Sequence, residues 1–549
     1  MDRRYFLKNT TLLSAGSLVL SGLPVKLLEG NPDLELAAKA GSNDNILVLV
    51  QMHGGNDGLN CIIPINQYST YLSLRPNIAI PNQGSRKLIN LDTTLLLDEQ
   101  IGIHPDMLPF KQMYEQGLSS VVQNVGFEDM NLSHFRGRDI MFMGGGPTDY
   151  YNSGWMGRLM DFEYPGYPDS YPNPQMLDPI ALEIGNSTSL AFHRENGIPI
   201  GFSIDSPEAF YNLINGVGVA PPILFPDSHA GEELRYLMEF EKKSNQYAQR
   251  LKDVYNAGSN TASVSYPETY PYSAPLTAIS NPLSGQLRLI ARLLKGGCKT
   301  RIFMCRIGGF DTHANQVEKF DTTMGTHAAL VFHLFNAMKA FYDDLKGLGY
   351  GDKVLSMTFT EFGRRVYSNA SYGSDHGTSF PVFLFGKGLK PGVVGNNPDL
   401  ADLNGGNLRY KVDYRQVYTT VAQDWFGASD EALTATKFEA WLDKKIGLFE
   451  TTGVDDVEGE IKSVLYDCYP NPASDVVNFS FFINHSSDVR LSLFDLNGKR
   501  VAEIINGHRY YGENTVPYNI SWLPAGMYLY SIETREFSAS KKLVVRSKY

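Results

Sequence analysis

Ser374-Asp375-His376-Gly377 sets a carboxylate and an imidazole side by side before a glycine. In a tight loop that pair can give a metal ion one oxygen and one nitrogen ligand, although the same composition also makes an ordinary surface turn. Gly308-Gly309-Phe310-Asp311-Thr312-His313 offers the same atom types, with Asp311 and His313 two residues apart and able to turn toward one point. A third stretch, His53-Gly54-Gly55-Asn56-Asp57-Gly58, adds Asp57 in a glycine-rich turn where the backbone can approach a ligand. If the fold brings the three together, Asp57, Asp311, His313, Asp375 and His376 supply ligands for one or two divalent ions, zinc, calcium or magnesium. Such ions would acidify a hydroxyl or water and screen the charge of a phosphoryl or sulfuryl group.

The elements that must position these residues are legible as apolar runs. Residues 45–52 (Asn-Ile-Leu-Val-Leu-Val-Gln-Met), 300–307 and 353–359 read as strands covered on both faces, each emptying into one of the ligand-bearing loops. Open α/β sheets build their sites at such carboxyl ends. A further strand at 118–126 runs into Asn131-Leu132-Ser133-His134-Phe135-Arg136-Gly137-Arg138, where Asn131 or Ser133 could cap a helix. Ser133 is then either a plain cap or a nucleophile in the field of a helix N-terminus. His134, Arg136 and Arg138 beside it suit an anionic substrate. Helical spacing is expected over 231–256, 282–294 and 328–348, and an extended loop or lid over 161–179.

A formal net charge of -11 and a pI near 5.5 argue against a nucleic-acid partner and favour small molecules, cations or glycans. Four cysteines, Cys61, Cys298, Cys305 and Cys468, lack the paired spacing of a zinc ribbon, and buried free thiols are expected. The N-terminus, Asp2-Arg3-Arg4-Tyr5-Phe6-Leu7-Lys8 followed by a modest apolar stretch to Val25, resembles a twin-arginine export signal with Ala38-Lys39-Ala40 as its cleavage site. The apolar stretch is too short and too rich in Ser and Gly for a membrane span, so no span is expected in the mature protein.

Taken together, His53-Gly54-Gly55-Asn56-Asp57-Gly58, Ser133-His134-Phe135, Gly309-Phe310-Asp311-Thr312-His313, Thr360-Glu361-Phe362-Gly363-Arg364, Ser374-Asp375-His376-Gly377 and Asp413-Tyr414-Arg415-Gln416-Val417-Tyr418 resemble the secreted bacterial family known as domain of unknown function 1501. That family is placed with the alkaline phosphatase-like fold of phosphatases and sulfatases. The resemblance implies an α/β domain with a mostly parallel sheet flanked by helices. It also implies a metal role for Asp57 and the Asp375-His376 pair, a nucleophilic role for Ser133, and Asp311 and His313 as intervening ligands. Arg136 or Arg364 would neutralise the substrate. Phosphatases of this fold carry another ligand histidine downstream, but the next histidine after His376 is His485. Glu361 is the candidate replacement; otherwise a single ion binds.

Beyond a short acidic linker at 451–463, alternating strands near 464–466, 476–481, 489–495, 520–522 and 526–532 read as a small β-sandwich. Tyr469-Pro470-Asn471-Pro472-Ala473, Leu496-Asn497-Gly498-Lys499 and Leu523-Pro524-Ala525-Gly526-Met527-Tyr528 resemble the C-terminal sorting domain of the Por, or type nine, secretion system. The expected organisation is therefore an export signal (1–40), an alkaline phosphatase-like domain (41–450), the linker, and a sorting domain (464–549). The expected function is a secreted hydrolase of phosphate or sulfate esters, of an anionic small molecule or a glycan, served by export and outer-membrane secretion machinery. The competing expectation is a non-catalytic secreted or surface binding protein that keeps the fold with a degenerate metal site.

Overall fold

The computed structural model describes residues 44–167, 170–185, 188–204, 210, 246–450, 463–483, 487–496, 498–509, 512–534 and 537–547, together with the short strands Val19–Leu20 and Leu23–Pro24. The chain divides into two units, residues 1–450 and 451–549. Apart from those two short strands, the twin-arginine expectation falls outside the described residues, as do the linker up to residue 462 and the first part of the helix expected over 231–256. The described remainder of that helix spans 246–257.

Continuous apolar runs need cover on both faces, and a parallel sheet between two helical layers provides it. Among the described residues of the large unit nine strands form one sheet: β1 (Ile46–His53), β2 (Ser119–Gly126), β3 (Ala181–Ile184), β4 (Gly201–Ile204), β5 (Ile302–Gly308), β6 (Val354–Phe359), β9 (Phe380–Phe385), β10 (Gly392–Val394) and β11 (Val412–Asp413). Two further strands, β7 (Gly363–Ser368) and β8 (Ser374–Gly377), pair with each other as a separate antiparallel ribbon. The sheet order is β10-β2-β9-β6-β1-β5-β3-β4, with β11 also on β2. All pairings are parallel except those of β9 with β6 and β2. The mostly parallel α/β sheet read from the sequence is thus present.

β1 lies at the centre, and its alternate residues enter two cores. Val48, Val50 and Met52 pack with α3 (Pro282–Lys295) and α4 (Thr326–Leu348). Leu47 and Leu49 pack on the other face with α1 (His134–Met143), α2 (Trp155–Glu163) and α5 (Tyr414–Thr420). The helix starts obey local chemistry: Asn281 accepts from the Leu283 and Ser284 amides at α3, with Pro282 in the first turn, and Asp413 with Gln416 forms a capping box at α5. The stretch expected as a lid begins inside α2 and only then opens into turns. All four cysteines are buried free thiols.

The smaller unit has two antiparallel sheets, β12-β13-β16 and β15-β14-β17-β18, where β12 is Val464–Leu465, β13 Val476–Ile483, β14 Ser487–Phe494, β15 Arg500–Arg509, β16 Gly512–Asn519, β17 Gly526–Glu533 and β18 Ser538–Val545. Phe479, Phe481, Leu491, Leu493, Tyr530 and Ile532 fill its core from alternate positions. Residues 520–522, expected as a strand, lead into a turn: Asn519 Oδ1 accepts from the Ser521 amide and hydroxyl, closing an Asx turn that competes with a ladder. β15, β16 and β18 are strands that the apolar pattern did not announce, because most of their described side chains are half-buried or exposed. Among the described residues no helix is long and apolar enough to cross a membrane.

Leu47 is fully buried in the core between the central strand and α1, α2 and α5. Leu47→Ala should lower the unfolding free energy of the large unit by about 2–5 kcal/mol, read as an earlier urea midpoint.

Candidate metal centre

Four side chains meet beyond the carboxyl ends of the strands. His134 opens α1 after β2; Asp311 and His313 follow β5; His376 lies in β8. Ligand-capable atoms of His134, Asp311 and His376 all lie within 4.8 Å of one another. His376 Nε2 is 3.2 Å from Asp311 Oδ1, His134 Nε2 is 3.4 Å from Asp311 Oδ2, and His313 Nε2 is 3.3 Å from Asp311 Oδ1. The Nε2 atoms of His313 and His376 stand 2.9 Å apart.

The opposite nitrogen of each ring faces an acceptor. His134 Nδ1 is 3.0 Å from Glu361 Oε1, His313 Nδ1 is 3.1 Å from Asp375 Oδ1, and His376 Nδ1 is 2.9 Å from the Leu132 carbonyl. Assigning protons from these partners makes each Nδ1 a donor and turns the Nε2 lone pairs inward. Two inward lone pairs at 2.9 Å repel unless a proton or a cation lies between them. Carboxylate or carbonyl backing of the outer ring nitrogen is the usual support of a metal-ligating histidine. Ligand atoms around a tetrahedral ion with bonds of about 2.0–2.1 Å stand roughly 3.3 Å apart, close to the separations seen here. The residues therefore fit a divalent ion.

Electrostatics agree with this geometry. Burial works against ionisation of Asp311, but the hydrogen bond and the charge of Arg364 outweigh it and hold the carboxyl down at about 2. Burial lowers the pKa of His376 and outweighs the Leu132 carbonyl and the Asp311 carboxylate, which favour a charged ring; it thereby favours the neutral ring a metal requires.

Each residue singled out in the sequence can now be placed. Asp311, His313 and His376 converge. Asp375 does not face the same point as His376: the expected tight loop is a strand, whose successive side chains leave on opposite faces. Its carboxylate holds the outer face of His313 instead, helped by Asn369 Nδ2 at 3.2 Å. Glu361 is buried behind His134, where Oε1 also accepts from the Gly54 amide at 2.8 Å.

Asp57 lies away from the cluster in a buried network. Its Oδ2 is 2.7 Å from Arg75 and accepts from Gln316 Nε2 at 2.5 Å, while Oδ1 has no partner among the described residues. Gln316 Oε1 in turn accepts from Ser374 Oγ at 2.9 Å and from Thr312 Oγ1 at 3.1 Å, so the network braces the segments that carry Asp311, His313 and His376.

Arg364 is buried and donates to the carbonyls of Gly54, Gly55, Phe310 and Ser374 and, at 2.7 Å, to Asp311. Arg136 donates to the Pro147 and Asp149 carbonyls and stacks on Tyr150, away from the histidines. Ser133 is exposed at the N-cap position of α1, and its side chain makes no capping bond. The sequence reading did not place His134 in this cluster. Its signal was an imidazole at the first position of a helix that follows a buried strand. Arg75, the charge partner of Asp57, carried no local signal.

Residues 231–442 match the family model described as protein of unknown function (DUF1501), and residues 467–546 match the secretion system C-terminal sorting domain. The first match contains Asp311, His313, Glu361, Arg364, Asp375 and His376, while His134 lies before it. The sorting domain makes the chain an exported protein, secreted or held at the cell surface. No curated protein matches the chain. Among solved structures, Ps i-CgsB in complex with k-i-k-neocarrahexaose is similar at 11% identity, over 80% of this chain and 82% of that one, with a TM-score of 0.32. A protein in the alkaline phosphatase superfamily from Vibrio parahaemolyticus is similar at 10% identity, over 82% and 77%, with a TM-score of 0.29. The alkaline phosphatase from the Antarctic bacterium TAB5 is similar at 9% identity, over 72% and 99%, with a TM-score of 0.27.

Arg75→Met should strand the buried Asp57 carboxylate and cost about 3–5 kcal/mol in urea unfolding. Burial opposes the charge of Asp57, but Arg75 prevails and holds its pKa below the ordinary carboxylate value. The pair's contribution is therefore fully present above about pH 4 and is lost as pH falls through the lower folded value, so wild type and variant should converge in acid.

Proposed function

We propose that the large unit is a metal-dependent hydrolase of phosphate or sulfate esters, acting outside the cell on an anionic small molecule or a glycan ester. The observation that supports this most is the convergence of three imidazole Nε2 atoms on one carboxylate, with the outer nitrogen of every ring already held. His134, His313, His376 and Asp311 would hold one divalent ion. When bound, it supplies Lewis acidity and screens the charge of the ester. Glu361 and Asp375 fix the ring orientations, and Arg364 keeps Asp311 ionised. Ser133 is the proposed attacking hydroxyl: it sits at the N-terminus of α1, where free backbone amides favour an anion, and its oxygen is not used as a cap. A twin-arginine signal within residues 1–40, also proposed, would export the chain already folded and loaded.

One observation favours the second reading, a non-catalytic binding protein. Arg364 and Arg136, expected to neutralise substrate, both donate to the protein's own carbonyls.

Purified protein should contain about one divalent ion per chain, and Asp311→Asn with His376→Ala should abolish both the ion and turnover of aryl phosphates or sulfates. An ion-free wild-type chain with no such turnover overturns the proposal. Glu361→Gln should weaken ion affinity about 10–100-fold in a chelator competition. Ser133→Ala should keep the ion and lose turnover; full turnover would assign the attack to another group.

A further inference from the structure

Beside the histidine cluster, on the α1 face of the sheet, three adjacent strands bring another set of polar side chains together. Arg306 of β5 is registered opposite Gln51 of β1, Gly308 opposite His53, and Met304 opposite Glu183 of β3. Strand alternation puts Gln51, His53, Arg306 and Glu183 on one face, the face that carries Leu47, Leu49, Ile302 and Met304 into the core with α1. Arg138 faces them from α1, one turn beyond His134 on the same side of the helix.

These groups are poorly matched among themselves. Arg306 Nε donates to Gln51 Oε1 at 2.9 Å, while its two terminal nitrogens have no partner among the described residues. The Gln51 amide nitrogen is buried and also lacks a partner among the described residues. Arg138 reaches Asp139 only at 3.8 Å. The charges of Arg306 and Arg138 both reach His53, adding to burial in disfavouring its protonation. Both also reach Glu183, whose carboxyl burial pushes up to about 7 in spite of them. Two cations and a buried amide donor with free hydrogen-bonding capacity stand beside Glu183, whose Oε2 already accepts from the Ser189 amide at 2.7 Å, and near Glu361, whose Oε1 is 3.5 Å from His53 Nδ1.

We infer that Arg138, Arg306 and Gln51 form an oxyanion-binding subsite beside the histidine–aspartate cluster, which holds a sulfate or phosphate group of the substrate. This rests on the hydrolase reading for the word substrate, but not for the anion. Guanidinium groups bind such oxygens with paired donors, and a buried amide completes the set without adding charge. The subsite takes over the role that Arg136 and Arg364 cannot fill.

The test is calorimetric titration of the full chain with inorganic sulfate and with inorganic phosphate, comparing wild type, Arg306→Gln, Arg138→Gln and the double variant. Bound metal and the thermal midpoint are measured for each. The expected result is anion binding by the wild type, weakened about 10–100-fold in each variant at unchanged metal content and midpoint. Arg306→Lys, which keeps a charge but not the fork, should fall between. Equal affinity in the double variant overturns the inference, and so does a wild-type chain that binds neither anion; both leave the metal proposal standing. A chain that binds the anions through these arginines but holds no metal and turns over no aryl phosphate or sulfate supports the subsite and overturns the hydrolase.

Discussion

One buried guanidinium joins the segments that carry the site. Arg364 leaves β7 and donates to carbonyls just beyond β1, just beyond β5 and in β8, then to the Asp311 carboxylate. A buried arginine is tolerable only when its donors are met, and here carbonyls at the strand ends meet them. The loop after β1 must come close for this to happen. Gly54 has a φ of +123°, and a Cβ there would lie 2.3 Å from the Asp311 amide nitrogen, so no other residue lets the two loops touch. The position of Asp311 is a consequence of these contacts rather than of its own loop.

On this scaffold the three imidazoles are oriented from outside by three unlike acceptors: a buried carboxylate, an exposed carboxylate and a backbone carbonyl. Each supplies the same service, a fixed Nδ1 proton, from a different element. Orientation from outside concentrates lone pairs at the centre, which is unfavourable in an empty site and favourable around a cation. A proton shared among His313, His376 and Asp311, or an ion in the same place, would relieve that conflict. Burial lowers the proton affinity of His376, which weighs toward the ion.

The sheet was legible because β1, β5 and β6 are apolar on both faces, a pattern with few other solutions, and each ended at a loop rich in ionisable residues. The membership of the cluster was legible only in part. Asp311, His313 and His376, which the structure brings together, were singled out from residue type and proximity to a strand end. Asp57 has the same local signature, yet its carboxylate pairs with Arg75, a contact set by the approach of a distant helix end that leaves no mark near Asp57. Asp375 was read with His376 because adjacent residues in a turn can share a target. The pairing of β7 with β8 turns that segment into a strand, and pairing partners are long-range information. In the sorting unit, half-exposed strands such as β15 were hidden for a related reason: their polar faces dilute the alternation that marks a strand.

Helix α1 links the two halves of the site. Its first residue, His134, belongs to the ion cluster, and Arg138, four positions on, faces the sheet beside His53 and Arg306. A helix rises 1.5 Å per residue, so these two side chains are offset by roughly 6 Å along its axis. Neither can shift without the other, because Gly137 between them lies against the Glu361 carbonyl, where an added Cβ would sit at 3.0 Å. Glu361 holds His134 from behind, and its own backbone limits how α1 can slide. On the proposed reading, charge recognition and ion binding would both be set by one rigid element against one strand end. A substrate anion drawn toward Arg138 and Arg306 would be delivered beside the cluster by the geometry of that helix alone.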